Sequence, residues 1–220
     1  MTIWFATGNI HKKEELADIL SGATLSGPIL KNPSDQRTPA WKLKIPSDVG
    51  ISFEPEETGT TFLENALIKA KNLHYLLFGA KKSISHLCDP VIADDSGLCV
   101  DALDGRPGIH SARYGGKELD AAGKNTLLLG EIGDNPLRSA RFVCAMVLYY
   151  GPDHFFAAQE CLEGELVKNI ESARGSGGFG YDPILFLPEL GRTVAELSEE
   201  EKNRLSHRGK AGRAIGRMLW

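Results

Sequence analysis

Residues 141–150 and 154–167 are two long β-prone runs separated only by Gly151-Pro152-Asp153. Runs joined by so short a turn-forming link fold back on each other as a hairpin, and a hairpin is antiparallel. Elsewhere helical and strand-like segments alternate, which favours crossover connections and parallel pairing. A mixed sheet satisfies both patterns, so the expected class is α/β with a mixed sheet.

The remaining elements follow from periodicity. Residues 2–6 form an apolar strand, and Leu16, Ile19 and Leu20 mark a helix after Thr7-Gly8-Asn9. The stretch from Gly27 to Phe53, with prolines at 28, 33, 39 and 46, reads as a long connection with little regular structure. From Thr61 the apolar residues Phe62, Leu63, Ala66, Leu67, Ala70, Leu73 and Leu77 recur at helical spacing, with Glu64, Lys69 and Lys71 falling off that stripe. Residues 91–93 and 98–103 read as two short strands around a turn at Asp94-Asp95-Ser96-Gly97, and 118–132 as a helix ended by Asn135-Pro136. A glycine-dense loop at 175–183 precedes a strand at 184–187. Ser198 with Glu201 fits a capping box, and Ala211, Ala214, Ile215, Met218 and Leu219 form a final amphipathic helix. Without repeats, 220 residues fit a single domain spanning 1–220.

Composition removes several functional classes. A net charge of -4 argues against a broad electrostatic grip on nucleic acid. The longest apolar run, 142–150, is about half of what a bilayer span needs, and the start, MTIWFATGNIHKKEEL, lacks a basic leader and a cleavage site. The four cysteines, 88, 99, 144 and 161, form no CxxC pair, as expected for reduced, buried thiols in a cytoplasmic protein.

Five segments carry groups suited to chemistry. Thr7, Gly8, Asn9, Ile10, His11 and Lys12 form a strand-to-helix turn whose N–H groups and lysine suit a phosphate; the same pattern also serves as a plain helix cap with Asn9 as the capping residue. Glu57 and Glu64 are acids around a helix start. Asp94 and Asp95, behind an apolar strand and before a glycine, are either a hard-cation site or an Asx-type turn. Phe179, with a glycine on either side, is a stacking platform for a base, or else Phe179 and Tyr181 form the core of a tight loop. Lys202, His207 and Arg208 are donors for phosphate or a base edge, or complements of a helix dipole. No Ser-His-Asp or Cys-His order emerges, and GxxxxGK[ST] does not occur.

In this order, TGNIHK, EETGTTFLENALIKA, VIADDSGLCVDALDGRPGIHSARYGG, SARFVCAMVL, GGFGYDPILF and AELSEEEKNRLSHRGKA closely resemble the inosine triphosphate pyrophosphatase family. The resemblance implies a Mg²⁺-dependent enzyme that cleanses the nucleotide pool by cutting ITP, dITP and XTP to a nucleoside monophosphate and pyrophosphate. It implies an elongated fold of two lobes with a central active-site cleft, and a homodimer; the net charge speaks against a nucleic-acid partner. It assigns the triphosphate loop to Thr7, Gly8, Asn9 and Lys12, metal and general-base roles to Asp95, substrate contact to Ser96, a second metal carboxylate to Glu57 and a supporting acid to Asp94. Phe179, Gly180, Tyr181 and Asp182 match its base-binding loop, and Lys202, His207 and Arg208 its last substrate-contacting segment. A site with donors such as His207 and Arg208 would accept a 6-oxopurine and refuse the amino group of adenine. Two departures stand out. The Pro-rich stretch is longer than the family's, which leaves Asp48 or Glu54 as alternatives to Glu57, and His110 replaces a common tyrosine. The competing readings are another Mg²⁺-dependent nucleotide phosphatase or transferase, and a non-catalytic nucleotide-binding module.

Overall fold

The computed structural model describes residues 1–25, 41–79, 89–116, 118–178 and 180–219. Strand β1 (Thr2–Phe5) leads into helix α1 (Ile10–Leu25), followed by β2 (Lys42–Lys44), α2 (Phe62–Phe78) and β3 (Val91–Val100). Then come α3 (Ala121–Ile132), the hairpin strands β4 (Ser139–Gly151) and β5 (His154–Leu166), the short strands β6 (Leu185–Leu187) and β7 (Arg192–Thr193), and helices α4 (Glu199–Leu205) and α5 (His207–Gly216).

Among the described residues the sheet has seven strands, ordered β2-β1-β3-β4-β5-β6-β7. Strand β1 pairs in parallel with β2, Thr2 opposite Lys42, and with β3, Trp4 opposite Val91. Strand β6 is antiparallel to β5, Glu165 opposite Phe186, and to β7. The sheet is therefore mixed, as the hairpin requires. Asp153 closes the hairpin turn with a left-handed φ of 59°, a conformation that short polar side chains tolerate.

By its contacts the chain divides into two compact units, one of residues 1–95, 145–159 and 208–220, the other of 96–144 and 160–207. In the first, Ala66, Ala70 and Leu73 of α2 cluster with Trp4, Val91, Ala93, Val147 and Tyr149. In the second, Leu128, Leu129 and Ile132 of α3 join Leu98, Val100, Phe142, Leu162 and Leu185. Helix α2 starts on the capping box its sequence contains: Thr61 Oγ1 accepts from the Glu64 N–H, and the Glu64 carboxylate accepts from the Thr61 N–H, each at 3.1 Å. Glu64 is thereby a capping residue.

Several sequence expectations need correction. Asp94-Asp95-Ser96-Gly97 is no turn: β3 runs unbroken through it, because cationic and amide partners satisfy both carboxylates inside the sheet. Lys69 does not fall off the apolar stripe of α2 but is buried on it with Asn65 and His74. The Pro-rich connection contains β2, whose three residues owe their strand state to pairing with β1; residues 26–40 of that stretch lie outside the described residues. The last helical segment is two helices, broken where Ser206 adopts an extended backbone, and Met218 is exposed beyond the end of α5. Of the thiols, Cys144 is buried while Cys99 and Cys161 are half-buried; Cys88 lies outside the described residues. Among the described residues, no helix is long and apolar enough to cross a membrane.

Candidate active site

Consecutive residues of a strand point to opposite faces, so β3 gives Asp94 and Asp95 different surroundings. Asp94 is 1% exposed. The Lys12 ammonium donates to both of its oxygens, at 3.0 and 3.2 Å, and Arg208 Nε donates to Oδ2 at 3.3 Å. Arg208 is as deeply buried, and its Nη1 donates to Glu15 Oε2 at 2.7 Å. Burial alone would raise the Asp94 carboxyl, but the charges of Lys12, Arg208 and Lys69 outweigh it and hold the group well below the usual carboxylate range.

Asp95 is 8% exposed. Its Oδ1 accepts from Lys69 Nζ at 3.0 Å and its Oδ2 from Asn65 Nδ2 at 3.2 Å. The same ammonium reaches Glu57 Oε1 at 3.0 Å, so two carboxylates flank one positive charge. Burial pushes the Asp95 carboxyl above its ordinary value, Glu57 adds to the push, and Lys69 and Asn65 only partly offset it. Burial would lower the Lys69 ammonium, yet Asp94, Asp95 and Glu57 together raise it, so Lys69 stays charged.

The opening loop is a helix cap. Asn9 Oδ1 accepts from the Lys12 N–H at 3.2 Å, and Thr7 Oγ1 accepts from the Asn9 N–H at 3.1 Å. Capping leaves Gly8, Ile10 and His11 exposed and turns the Lys12 side chain inward onto Asp94, so the same loop keeps a lysine and exposed backbone available to an anion.

In the second unit, the glycine loop is built around Asp182, which accepts from Lys202 Nζ at 2.7 Å. Gly178 has φ +75°, and a Cβ there would fall on the Asp182 carboxylate and within 2.8 Å of Lys202 Nζ, so only glycine fits. Tyr181 is buried and anchors the loop by donating to the Ser111 carbonyl at 3.0 Å, while the Gly180 carbonyl accepts from Asn125 Nδ2 at 3.2 Å. The buried His207 ring stacks on Phe142 at 4.9 Å. Ser96 is half-buried, and Phe179 lies outside the described residues.

The structure thus groups Lys12, Asp94 and Arg208; Glu57 and Asp95; and Asp182 with Lys202. Asp48 is instead held by Lys13 at 2.6 Å and by the Ile45 N–H, and Glu54 is exposed; of the three candidate second acids, Glu57 is the one found sharing Lys69 with Asp95. Lys69, Asn65, Glu15 and Asn125 were not singled out from sequence. Lys69 and Asn65 had a signal: polar residues four apart beside Ala66 and Ala70, on the stripe that faces the core.

The sequence model of the Ham1 family matches residues 3–218. The chain belongs to the Ham1 family. Its Ham1 character extends over the whole length: the dITP/XTP pyrophosphatase of Treponema denticola is 43% identical, covering 100% of this chain and 98% of that protein. That of Thermus thermophilus is 42% identical, covering 98% and 90%. Solved Ham1 structures agree in fold: the Staphylococcus aureus Ham1 protein has a TM-score of 0.77 at 34% identity, and the Coxiella burnetii HAM1 protein 0.78 at 33%, each match covering 100% of this chain and 98% of the other.

Two acids around a cation fit Mg²⁺ rather than a metal caged wholly by protein. Among the described residues, no group of three or more His, Cys, Asp or Glu side chains is arranged to hold a metal. Asp95 and Glu57 already hold one positive charge between them, and Mg²⁺ takes one or two carboxylates, completing its shell with water and substrate phosphate.

Proposed function

We propose that this Ham1 protein hydrolyses the non-standard purine nucleoside triphosphates ITP, dITP and XTP to nucleoside monophosphate and pyrophosphate. The observation that carries the reading is the pair of adjacent carboxylates on β3, one neutralised by Lys12 and Arg208, the other sharing Lys69 with Glu57. The names of the relatives, dITP/XTP pyrophosphatases alike over nearly the whole chain, support the substrate class.

In this reading Lys12 and the N–H groups of Gly8, Ile10 and His11 hold the phosphates of the substrate, the Asn9 N–H being taken by Thr7. Asp95 accepts a proton from water as the water oxygen bonds the α-phosphorus; the bond from that phosphorus to the α–β bridging oxygen breaks, and pyrophosphate leaves. Asp94, held ionised by two cations, keeps Lys12 in place. Asp95 and Glu57 would hold Mg²⁺, which when bound neutralises charge growing on the leaving group. Lys202 and His207 serve the base-binding loop, while Arg208, committed to Asp94 and Glu15, belongs with the phosphate side. Chelating divalent metal with EDTA should lower turnover at least about a hundredfold, and added Mg²⁺ should restore it; full activity in EDTA would remove Asp95 and Glu57 from the metal role.

We infer also that two copies pair through β5. Phe155 and Phe156 are adjacent on that strand and 43% and 40% exposed, and β6 pairs with β5 at the other end of that strand, at Glu165 and Leu166. Antiparallel pairing centred on Ala157 would set His154 of each copy against Glu160 of the other. Sedimentation should give a dimer for the wild type and a monomer for a Phe155→Glu, Phe156→Glu variant; a monomeric wild type would refute the pairing.

A further inference from the structure

Asn125 is an amide where the packing around it asks for an apolar residue. It lies on α3, 4% exposed, one turn from the core residues Leu128 and Leu129. It lines a cavity of about 350 Å³ whose walls include Ala121, Ile170, Gly178, Gly180 and Pro183. Its Nδ2 donates to the Gly180 carbonyl at 3.2 Å, while its Oδ1 is buried without a partner among the described residues. The reverse orientation of the amide would set oxygen against the Gly180 carbonyl, so the donated bond fixes which end is unpaired. A buried acceptor left unpaired is costly, and a leucine would avoid it. What the position gains in return is the single bond to Gly180.

That bond meets the loop at a sensitive point. Gly180 has φ +64°, a region that glycine enters freely, so its own backbone does little to fix the direction of its carbonyl. The other anchors act on its neighbours: Tyr181 on Ser111, Asp182 on Lys202, and the Gly177 N–H on the Ala195 carbonyl at 3.2 Å. We infer that Asn125 is a positioning residue for the glycine loop, holding the Gly180 peptide in the orientation that receives the purine base. This rests on the reading above that the loop takes the base of the substrate. Because Asn125 is not among the groups assigned to the phosphates or to water, its loss weakens base binding and spares the chemical step.

The test is steady-state hydrolysis of ITP by Asn125→Leu and Asn125→Ala, with Lys202→Met as a second perturbation of the same loop and hydrogen exchange followed across residues 176–182. Asn125→Leu should raise KM about tenfold, the worth of one hydrogen bond, with kcat within about twofold, an unlowered melting temperature and faster exchange in the loop. Asn125→Ala should raise KM by a similar factor, which separates the lost bond from any clash of leucine. Unchanged KM in both Asn125 variants, with KM raised in Lys202→Met, would overturn the inference and leave the base-loop reading standing. Unchanged KM in all three would overturn the base-loop reading itself.

Discussion

Asp95→Asn should lower kcat by about 10² to 10⁴, the usual contribution of a positioned general base, while the protein stays folded. Asparagine keeps the shape of the side chain, and its Oδ1 can still accept from Lys69. It cannot take a proton from water, and its Nδ2 would face the Nδ2 of Asn65, donor against donor, where the carboxylate now accepts. Glu57 still pairs with Lys69, but one of the two carboxylates that would hold the metal is gone, so the concentration of Mg²⁺ needed for half-maximal rate should rise as well. Pyrophosphate release measured across a Mg²⁺ titration, with circular dichroism as the control for folding, checks both effects. Near-wild-type turnover with unchanged Mg²⁺ dependence would show that the carboxylate at position 95 is neither base nor ligand.

Arg208→Leu should be strongly destabilising. It leaves the buried carboxylate of Asp94 and the half-buried one of Glu15 without the guanidinium that bridges them. Removing one partner of a buried ion pair costs about 3–5 kcal/mol. The lower end is expected, because Lys12 still neutralises Asp94. In a chain of this size that is a fall in melting temperature of roughly 10 °C. The pH dependence has a definite sign. The folded Asp94 carboxyl titrates below its unfolded value, so its stabilisation is fully present above the ordinary carboxylate pKa of about 4 and is lost only as pH falls further. The gap between wild type and variant should therefore hold from neutral pH down to about 4 and narrow in stronger acid. Denaturant titrations at several pH values measure it, and a gap that vanished near pH 6 would mean that Arg208 acts through some other group.

What could be read from the sequence was what local chemistry decides. The hairpin follows from Gly151-Pro152-Asp153, the start of α2 from Thr61 and Glu64, and the stripe of α2 from Ala66, Ala70 and Leu73. The state of Asp94 and Asp95 was not local. Two aspartates before Ser-Gly favour a turn, and they lie in a strand because Lys12, Asn65, Lys69 and Arg208, from 26 to 114 residues away, satisfy their carboxylates. Lys69 is a different case: its charge separates it from the apolar stripe, yet its spacing from Ala66 and Leu73 puts it on the core side of the helix. Strand β2 offered almost no signal, since three residues, two of them lysines, become a strand only beside β1.

The substrate reading meets its most direct test in purified protein with Mg²⁺ and a panel of ITP, dITP, XTP, GTP and ATP, with pyrophosphate and orthophosphate detected separately. Rapid release of pyrophosphate with the monophosphate from ITP, dITP and XTP, and slow turnover of ATP, is the expected result. Orthophosphate as the product, equal kcat/KM for ITP and ATP, or tight binding of ITP without turnover would contradict it.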